Sequence, residues 1–351
     1  MTKKSVRSLS VLLLAAILVT SLLTGCSPAS PAASPAGGSK KLVVYAALNE
    51  ADIVEIQKKF KEDTGIEIEY IRAGAGDVAA RVLAEKASPK ADVMVGGSVD
   101  VYEPLAKDGL FEKYVSPNSK ELAATFNDPN QYWQGWYMGV LALVVNKDRF
   151  DKELKPQRLQ IPATWDDLLD PRYKNVFVSS NPVTAGGAYI FIADQIFRLG
   201  EDKAWDYLKE LDKNVHHYYK GAVDCISPVA TGEFIVGMSW GHDIYNAVKQ
   251  GYPIEVVIPK QTAFEIGGAA VVKGGKNIDN AKKFIDWLLT KEVGEMNTSI
   301  SNRYSVRKDV TPPKGLPKLE EVDLVKYDRA KAGAMKPDVV KKFDEEIASK
   351  R

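Results

Sequence analysis

The segment LVVYAALNEADIVEIQKKFKEDTGIEIEY, residues 42–70, decides the fold class of this chain. It opens with an apolar run whose length suits a buried strand. Ile53, Ile56 and Phe60 then recur at the spacing that places them on one face of a helix. After a glycine that ends this helix, residues 66–71 alternate apolar and polar side chains, as a half-buried strand does. This order of elements predicts a βαβ unit with parallel strands.

The rest of the chain repeats this alternation of strand and helix. Further apolar runs of strand length include ADVMVGG at 91–97, GVLALVVN at 139–146 and NVFVS at 175–179. Helical spacing of apolar residues follows at about 187–199 and 280–289. We therefore predict an α/β fold of mainly parallel sheets with helices on both faces.

The N-terminal residues predict export and membrane attachment rather than a part of this fold. Three basic residues precede an apolar run at 11–23, which is too short for a membrane span but suits a signal peptide. The run ends in Leu-Thr-Gly-Cys, which resembles the lipobox of bacterial lipoproteins. The resemblance implies a lipoprotein signal peptide over residues 1–25 and a lipid on Cys26, which would become the first mature residue. The alternative is an ordinary secretory signal with an incidental cysteine.

Residues 26–40 contain Ser, Pro, Ala and Gly but no large apolar side chain. Such a segment cannot bury enough surface to offset the entropy of ordering it, so we expect a flexible tether. The folded part would then lie outside the cytoplasmic membrane, held there by its lipid.

Composition excludes several classes of function. The formal net charge is +1, without the clustered basic residues of a nucleic-acid-binding protein. Beyond Cys26 the chain has one more cysteine, Cys225, so no intrachain disulfide is expected in the mature domain. Roughly three hundred residues follow the tether, which is enough for two lobes of ordinary domain size.

Ligands of open α/β sheets bind beyond the carboxyl ends of the strands, where loops lead into helices. That rule selects five loops of this chain: 46–50, 96–98, 181–187, 240–243 and 262–267. We expect a binding site to be built from these loops.

The strongest of these loops lies within SSNPVTAGGAY, residues 179–189, where a strand ends and a helix begins near Gly187. Unpaired backbone N–H groups and the helix dipole favour an anion at such a position. The alternative is a plain strand–helix turn capped by the Thr184 hydroxyl. The residues expected at this helix N-terminus are Thr184, Ala185, Gly186 and Gly187.

Two other loops carry polar groups suited to a ligand. Gly97 and Ser98 offer backbone N–H groups and a hydroxyl, although Ser98 is equally well explained as a helix N-cap. In the stretch SWGHD, Trp240 offers a stacking face, while His242 and Asp243 suit hydrogen bonds to sugar hydroxyls or an amine. The alternative for SWGHD is a loop in which Asp243 caps the next helix.

Catalysis and a resident metal are both disfavoured by the sequence. The one G-x-S-x-G match, GMSWG at 237–241, has its serine inside a predicted strand and not at the exposed strand–helix turn of a nucleophile elbow. A metal site normally needs several His, Cys or carboxylate ligands in register, whereas the chain has three histidines in all. The stretch HHYY, residues 216–219, has phenol groups that suit ferric ion, but aromatic residues in such a run also make an ordinary strand.

Five stretches carry a resemblance to a known family. They are LVVYAALNEADIVEIQKKFKEDTGIEIEY, ADVMVGGSVDVYEPLAKDGL, IPATWDDLLDPRYKNVFVSSNPVTAGGAY, GEFIVGMSWGHDI and FEIGGAAVVKGGKNIDNAKKFIDWLLT. From residue 41 to about residue 307 the chain resembles the solute-binding proteins of bacterial ABC importers. The match is to the branch that contains ferric-iron, hexose-phosphate, 2-aminoethylphosphonate and thiamine binding proteins.

The resemblance implies the periplasmic binding protein type II fold, in which two α/β lobes enclose the solute in a cleft. Lobe one would take residues 41–145 and 262–307, and lobe two residues 146–261. The tail, residues 308–351, would pack back on the lobes.

The resemblance also bears on the ligand. The ferric-iron members carry a histidine, a glutamate and a tyrosine pair at positions that read here as Asn49, Gly97 and the stretch 240–243. None of these positions keeps its ligand type, and ferric ion needs hard anionic oxygens. Iron bound in the manner of that family is therefore not expected.

Residues 184–187 resemble the anion-binding loop of this family, so that feature is present in this chain. In the phosphate-ester and phosphonate members, the phosphoryl group of the ligand sits there. The His-Asp pair of SWGHD resembles the pair that meets sugar hydroxyls in hexose-phosphate binders, and Glu265 resembles a further polar contact. By the same placement Asn49 and Ser98 face the cleft. The resemblance thus implies a small phosphorylated polyol or an aminophosphonate.

We expect a binding protein rather than an enzyme, with no cofactor. Solute would favour closure of the lobes about segments near Asn146 and Gln261, and the closed form would dock on an ABC permease whose ATPase subunits supply the energy. Ferric iron or another metal as cargo, a secreted phosphatase-like enzyme, and a purely sensory role stay open as alternatives.

Overall fold

A computed structural model describes residues 39–350 of the chain. The predicted signal peptide, Cys26 and most of the predicted tether lie outside the described residues. Among the described helices, none has the length and apolar character needed to cross a bilayer.

The described residues form ten strands and eleven α-helices. The strands are β1 (Lys41–Ala47), β2 (Glu67–Arg72), β3 (Val93–Ser98), β4 (Gln134–Asn146), β5 (Phe177–Ser180), β6 (Val215–Tyr219), β7 (Val236–Trp240), β8 (Ile254–Val257), β9 (Phe264–Val271) and β10 (Tyr304–Ser305). The helices are α1 (Glu50–Thr64), α2 (Ala75–Ala84), α3 (Tyr102–Lys107), α4 (Lys147–Arg149), α5 (Gly186–Leu199), α6 (Glu201–Asp212), α7 (Ile226–Ala230), α8 (Gly241–Lys249), α9 (Ile278–Leu288), α10 (Lys291–Ser301) and α11 (Arg329–Glu346).

The N-terminal βαβ unit forms as its sequence predicts. β1 and β2 pair in parallel, and α1 buries Ile53, Ile56 and Phe60. Gly65 ends α1 at φ 72°, a backbone conformation that suits glycine, and its N–H donates to the Lys61 carbonyl. Phe60 is fully buried, and burial of a side chain of this size contributes about 1.5–3 kcal/mol.

The sheet is mixed, with the strand order β2-β1-β3-β9-β4-β7-β5-β6. Its outer strands are parallel, since β1 pairs with β2 and β3, and β5 pairs with β6 and β7. Its centre is antiparallel, where β9 lies between β3 and β4 and β4 continues to β7. The α/β class is confirmed, and the pairing is more mixed than the expected mainly parallel arrangement because β4 and β9 run against their neighbours.

The buried hydrophobic side chains form separate cores. One cluster takes its members from residues 42–140 and 266–306, and two others from residues 141–263, one of which continues into 325–347. The change between cores falls inside β4, whose first half pairs with β9 and whose second half pairs with β7. The two lobes and their boundaries stay a prediction, to which this division of the core lends support.

Both ends of the described chain are held by specific contacts. The carbonyl of Ser39 accepts a 2.6 Å hydrogen bond from Asn280, and that of Lys40 accepts one of 2.8 Å from the Glu67 N–H. Residues 39 and 40, which fall inside the predicted tether, are therefore bonded to the folded domain. At the other end, α11 packs on α5 through the Tyr189 hydroxyl, which donates to the Ala332 carbonyl.

Candidate functional site

A cavity of about 250 Å³ is lined by residues from all five loops selected from the sequence. Every residue predicted to bind ligand lines it: Asn49, Gly97, Ser98, Thr184, Ala185, Gly186, Gly187, Trp240, His242, Asp243 and Glu265. The topological rule thus leads to one place because strands of both halves of the sheet direct their carboxyl ends toward the same cavity.

The first turn of α5 forms one wall of this cavity. Ala185 is the N-cap, and within residues 39–350 no side chain caps the helix. The N–H groups of Gly186, Gly187 and Ala188 accordingly have no hydrogen-bond acceptor among the described residues. Three free N–H groups at the positive end of a helix of 14 residues favour a negatively charged group.

The glycines of this turn differ in their surroundings. A methyl group at Gly186 would meet no heavy atom of the described residues within 4 Å, so that position opens into free space. A methyl group at Gly187 would lie 3.2 Å from the indole of Trp240 and 3.2 Å from Cβ of Ala222. The second glycine therefore lets Trp240 pack directly on the helix backbone.

Thr184 does not cap α5, contrary to the alternative reading of this turn. Its hydroxyl donates a 2.8 Å hydrogen bond to the carbonyl of Lys220. The hydroxyl therefore ties the loop to the chain that follows β6, and the backbone of the next residues is what faces the cavity.

The loop at Gly97 and Ser98 offers less to an anion than the sequence suggests. Gly97 has φ +69°, and its N–H already donates a 3.2 Å hydrogen bond to the Tyr137 hydroxyl. Ser98 is the N-cap of a short 3-10 turn, where its hydroxyl accepts from the Asp100 N–H at 3.4 Å. The N-cap interpretation of Ser98 therefore holds, although the residue also lines the cavity.

A buried polar cluster forms another part of the lining. Trp240 is the last residue of β7, and His242 and Asp243 lie in the first turn of α8, so SWGHD is a direct strand–helix junction and not a loop. Glu265 lies within β9 and not in a loop. Nε2 of His242 is 3.5 Å from the Asp243 carboxylate, and Nδ1 has no partner among the described residues.

Gly139 explains how this cluster fits inside the sheet. It lies opposite Glu265 in the pairing of β4 with β9. A methyl group at Gly139 would lie 2.7 Å from Cε1 of His242 and 3.3 Å from a Glu265 carboxylate oxygen. The missing side chain therefore provides the space that the imidazole and the carboxyl group occupy.

Burial changes the acidity of every group in this cluster. Burial raises the pKa of Glu265 to about 7, an effect that the nearby Asp243 and Asp100 carboxylates increase and Arg303 opposes. Burial also raises the pKa of Asp243, again against Arg303 and a hydrogen bond from Asn49. The pKa of His242 is lowered well below its usual value by burial and by Arg303, so the imidazole is neutral at pH 7.

Arg303 is a cavity residue that the sequence analysis missed. It lies between α10 and β10, its side chain is 5% exposed, and it lines the cavity. Its guanidinium donates to Asp52 and lies 4.7 Å from the ring centroid of Tyr137. No local pattern identifies Arg303, because Asp52 is 251 residues away in the chain.

Further cavity residues follow β2 and β6, two strands whose loops were not selected. Arg72 ends β2 and pairs with Glu50 at 2.9 Å, and residues 221–223 follow β6. The rule about carboxyl ends of strands could have found both. It could not have found Lys336, which reaches the cavity from α11.

The HHYY stretch does not take part in the cavity. It forms β6, as its alternation predicts, and none of residues 216–219 lines the cavity. Among residues 39–350, no group of three or more His, Cys, Asp or Glu side chains is arranged to hold a metal ion.

Comparison with known proteins places these features in a family. Residues 88–332 match the family described as bacterial extracellular solute-binding proteins. The chain is 33% identical over 338 residues to an uncharacterized protein of Haemophilus influenzae Rd, covering 93% of this chain and 96% of that protein.

Two further relatives are named for their ligands. The structure of the periplasmic binding protein AfuA from Actinobacillus pleuropneumoniae, with exogenous fructose-6-phosphate bound, is 32% identical with a TM-score of 0.82, covering 88% of this chain and 99% of that one. A periplasmic protein of Salmonella typhi, provisionally named for 2-aminoethylphosphonate binding, is 26% identical over 293 residues, covering 80% of this chain and 83% of that protein.

Proposed function

Because the chain belongs to the family of bacterial extracellular solute-binding proteins, we propose that its solute is a small phosphorylated or phosphonate metabolite. The solute would occupy the cavity between the α5 N-terminus and the polar cluster of His242, Asp243 and Glu265. The protein would deliver it to the permease and ATPase subunits of an ABC importer.

The first turn of α5 carries this proposal. Among residues 39–350, three N–H groups there have no acceptor, and a methyl group at the cavity-lining Gly186 would meet no heavy atom within 4 Å. A phosphoryl or phosphonate group supplies several acceptor oxygens and negative charge at once, which is what such a helix N-terminus binds. A neutral sugar would leave the helix dipole uncompensated.

The polar cluster favours a solute that carries hydroxyl or amine groups at the end opposite its phosphorus group. His242 is neutral and 2% exposed, and its Nδ1 has no partner within residues 39–350, so a ligand hydroxyl would satisfy a buried polar atom that is otherwise costly. Two carboxyl groups, those of Asp243 and Glu265, add acceptors for hydroxyl or ammonium hydrogens. Trp240 lies between the two ends, with its indole parallel to the imidazole of His242 at 15°.

A relative with a bound ligand also supports a phosphorylated solute. AfuA is a periplasmic binding protein with fructose-6-phosphate bound, and it shares nearly its full length with this chain. A sugar phosphate has an anionic end and a hydroxyl-rich end, which matches the two ends of this cavity.

The proposed cycle is one of binding and closure. Residues from both of the expected lobes, 41–145 with 262–307 and 146–261, would contact the solute, so the solute would favour the closed state by its differential affinity for that state. Segments near Asn146 and Gln261 would absorb the motion. The closed form would then be recognised by the permease.

Calorimetric titration of the ligand-free protein tests the ligand class. The panel is fructose 6-phosphate, glucose 6-phosphate, glycerol 3-phosphate and 2-aminoethylphosphonate, each paired with its counterpart that lacks the phosphorus group. We expect at least one phosphorus compound to bind at least 100-fold more tightly than its counterpart. Equal binding within each pair, or no binding across the panel, would contradict the proposal.

Ferric iron is the alternative cargo. The cavity-lining phenols argue against it, because burial raises the pKa of both Tyr137 and Tyr189 well above the usual value and so disfavours the phenolate that iron needs. A titration with ferric citrate distinguishes the two: a visible phenolate-to-iron absorption band would favour iron. A phosphatase would instead release phosphate from the bound ester, and we expect no turnover.

We also propose that a lipid on Cys26 anchors the protein outside the cytoplasmic membrane. The support is the Leu-Thr-Gly-Cys sequence that follows an apolar run at 11–23. Expression in a bacterium fed a labelled fatty acid should label the wild-type protein and not Cys26→Ser. Equal labelling, or absence of label from both, would contradict the anchor.

A further inference from the structure

The C-terminal helix α11 is fixed against elements that line the cavity. Arg329, its first residue, lies 3.7 Å from the carboxylate of Asp100 and donates a 3.3 Å hydrogen bond to the Phe264 carbonyl. One turn further along, the Ala332 carbonyl accepts from the hydroxyl of Tyr189 in the first turn of α5. The next turn of α11 is thereby held beside the cavity.

Lys336, in that next turn, is one of the residues that line the cavity. Its Nζ lies 5.2 Å from the ring centroid of Tyr189. Among residues 39–350, no carboxylate oxygen lies within 4 Å of this Nζ, and the ammonium donates no hydrogen bond. Burial lowers the pKa of Lys336, an effect that Asp100 partly opposes, which marks an ammonium that is poorly solvated and incompletely neutralised.

The carboxylate that could have neutralised Lys336 has another cation nearer to it. Asp100 is buried and lies 3.7 Å from Arg329. Another nearby carboxylate, the half-buried Glu103, accepts a 3.1 Å hydrogen bond from Trp133. An ammonium in this position is stabilised most by an anion that enters the cavity.

The same Tyr189 ring connects Lys336 to the anion-binding turn, since Tyr189 follows Gly186, Gly187 and Ala188 in α5. An anion held by the free N–H groups of that turn would therefore approach the ammonium from within the cavity. Backbone dipoles and a formal positive charge would act on the same group, which is how tight phosphate sites combine their donors.

We propose that Lys336 pairs with the anionic group of the solute, so that the C-terminal helix forms part of the binding site and selects phosphorylated over unphosphorylated compounds. This inference rests on the proposed function and extends it to a residue of the tail that the sequence analysis assigned only to packing. The competing role is structural, in which Lys336 merely offsets the charge of Asp100.

Calorimetry on Lys336→Met, Lys336→Gln and Lys336→Arg separates these roles. The matched control is Lys331→Met, because Lys331 lies on the same helix with its Nζ 5.8 Å from the ring centroid of Phe197 and does not line the cavity. The ligands are the tightest phosphorus compound of the panel and inorganic phosphate as a competitor. Thermal unfolding of each variant is measured in parallel.

We expect the Met and Gln variants to weaken both ligands at least tenfold, with a smaller dependence of affinity on salt because one ion pair is lost. The affinity of the Arg variant should stay within about threefold of that of the wild type. Lys331→Met should bind both ligands as tightly as the wild type does. Met and Gln variants that bind within twofold of the wild type would overturn the inference and leave the proposed function intact. Loss of binding in the Arg variant equal to that in the Met variant would assign Lys336 a structural role. A wild-type protein that binds no phosphorus compound would refute both proposals.

Discussion

The side-chain amide of Asn49 donates a 3.1 Å hydrogen bond to the Asp243 carboxylate, across 194 residues of chain. Asn49 is the N-cap of α1, yet its side chain makes no capping bond to that helix. Its amide contacts instead the first turn of α8. The buried apolar side chains of α8 belong to a different hydrophobic core from those of α1. One hydrogen bond thus joins two of the predicted site loops beside the cavity.

Asn49→Ala should weaken the solute about three- to tenfold. The variant loses a hydrogen bond to a buried carboxylate, and such a bond contributes about 0.5–1.5 kcal/mol. Asn49→Asp should weaken it more, because a second carboxylate then faces Asp243. Asn118→Ala is the control, since that amide donates a 2.8 Å hydrogen bond to the Asp286 carbonyl and does not line the cavity. Calorimetry in which Asn49→Asp binds as tightly as the wild type would contradict this reading of the contact.

Gly186→Ala should lose affinity without losing stability. The added methyl group meets open cavity space, so the free energy of unfolding should change by less than about 0.5 kcal/mol. Because Gly186 lines the cavity at the turn that carries the free N–H groups, the methyl group should hinder an anion there, and the dissociation constant should rise at least about tenfold. Gly76→Ala, near the start of α2, also meets open space but does not line the cavity, and it should bind normally. Unchanged affinity of Gly186→Ala would place the anion elsewhere.

Glu265 should make stability depend on pH. Its pKa rises from 4.5 to about 7 in the folded protein. Between these values the folded protein holds a proton that the unfolded chain has released, so stability falls as the pH rises through this window. Glu265→Gln removes this effect, and its stability relative to the wild type should increase by on the order of 1–3 kcal/mol from pH 5 to pH 8.

Urea unfolding of the ligand-free protein at several pH values measures this difference. The exposed Glu62→Gln on α1 serves as the control. A stability difference between Glu265→Gln and the wild type that is constant with pH would mean that Glu265 titrates normally.

Arg303→Met should lower the free energy of unfolding by about 3–5 kcal/mol, because it leaves the Asp52 carboxylate buried without its partner. The side chains of both residues are 5% exposed. The double variant Arg303→Met with Asp52→Asn should recover part of this loss, since the uncompensated charge is gone. Urea denaturation of the wild type, both single variants and the double variant gives the coupling free energy between Arg303 and Asp52. Strict additivity of the two single changes would show that the pair is not coupled.

Local patterns predicted much of the fold and of the site. The period of Ile53, Ile56 and Phe60 gave α1 its buried face, and the turn that begins α5 lies within one residue of its predicted start. The five selected segments all contribute to one cavity, since the carboxyl ends of strands in both halves of the sheet face it and residues 262–267 reach it from the amino end of β9. The position of Glu265 within a strand was not predicted, because periodicity leaves the ends of elements uncertain by a few residues.

The sequence by itself determined the βαβ alternation and the glycine-rich helix start, since each depends on the spacing of residues close together in the chain. Only the tertiary structure decided that Arg303 meets Asp52, that Gly139 makes room for His242, and that Lys336 enters the cavity from α11. Those contacts join residues far apart in the chain. They depend on the antiparallel passage of β4 and β9 through the sheet, and no local spacing of side chains encodes that passage.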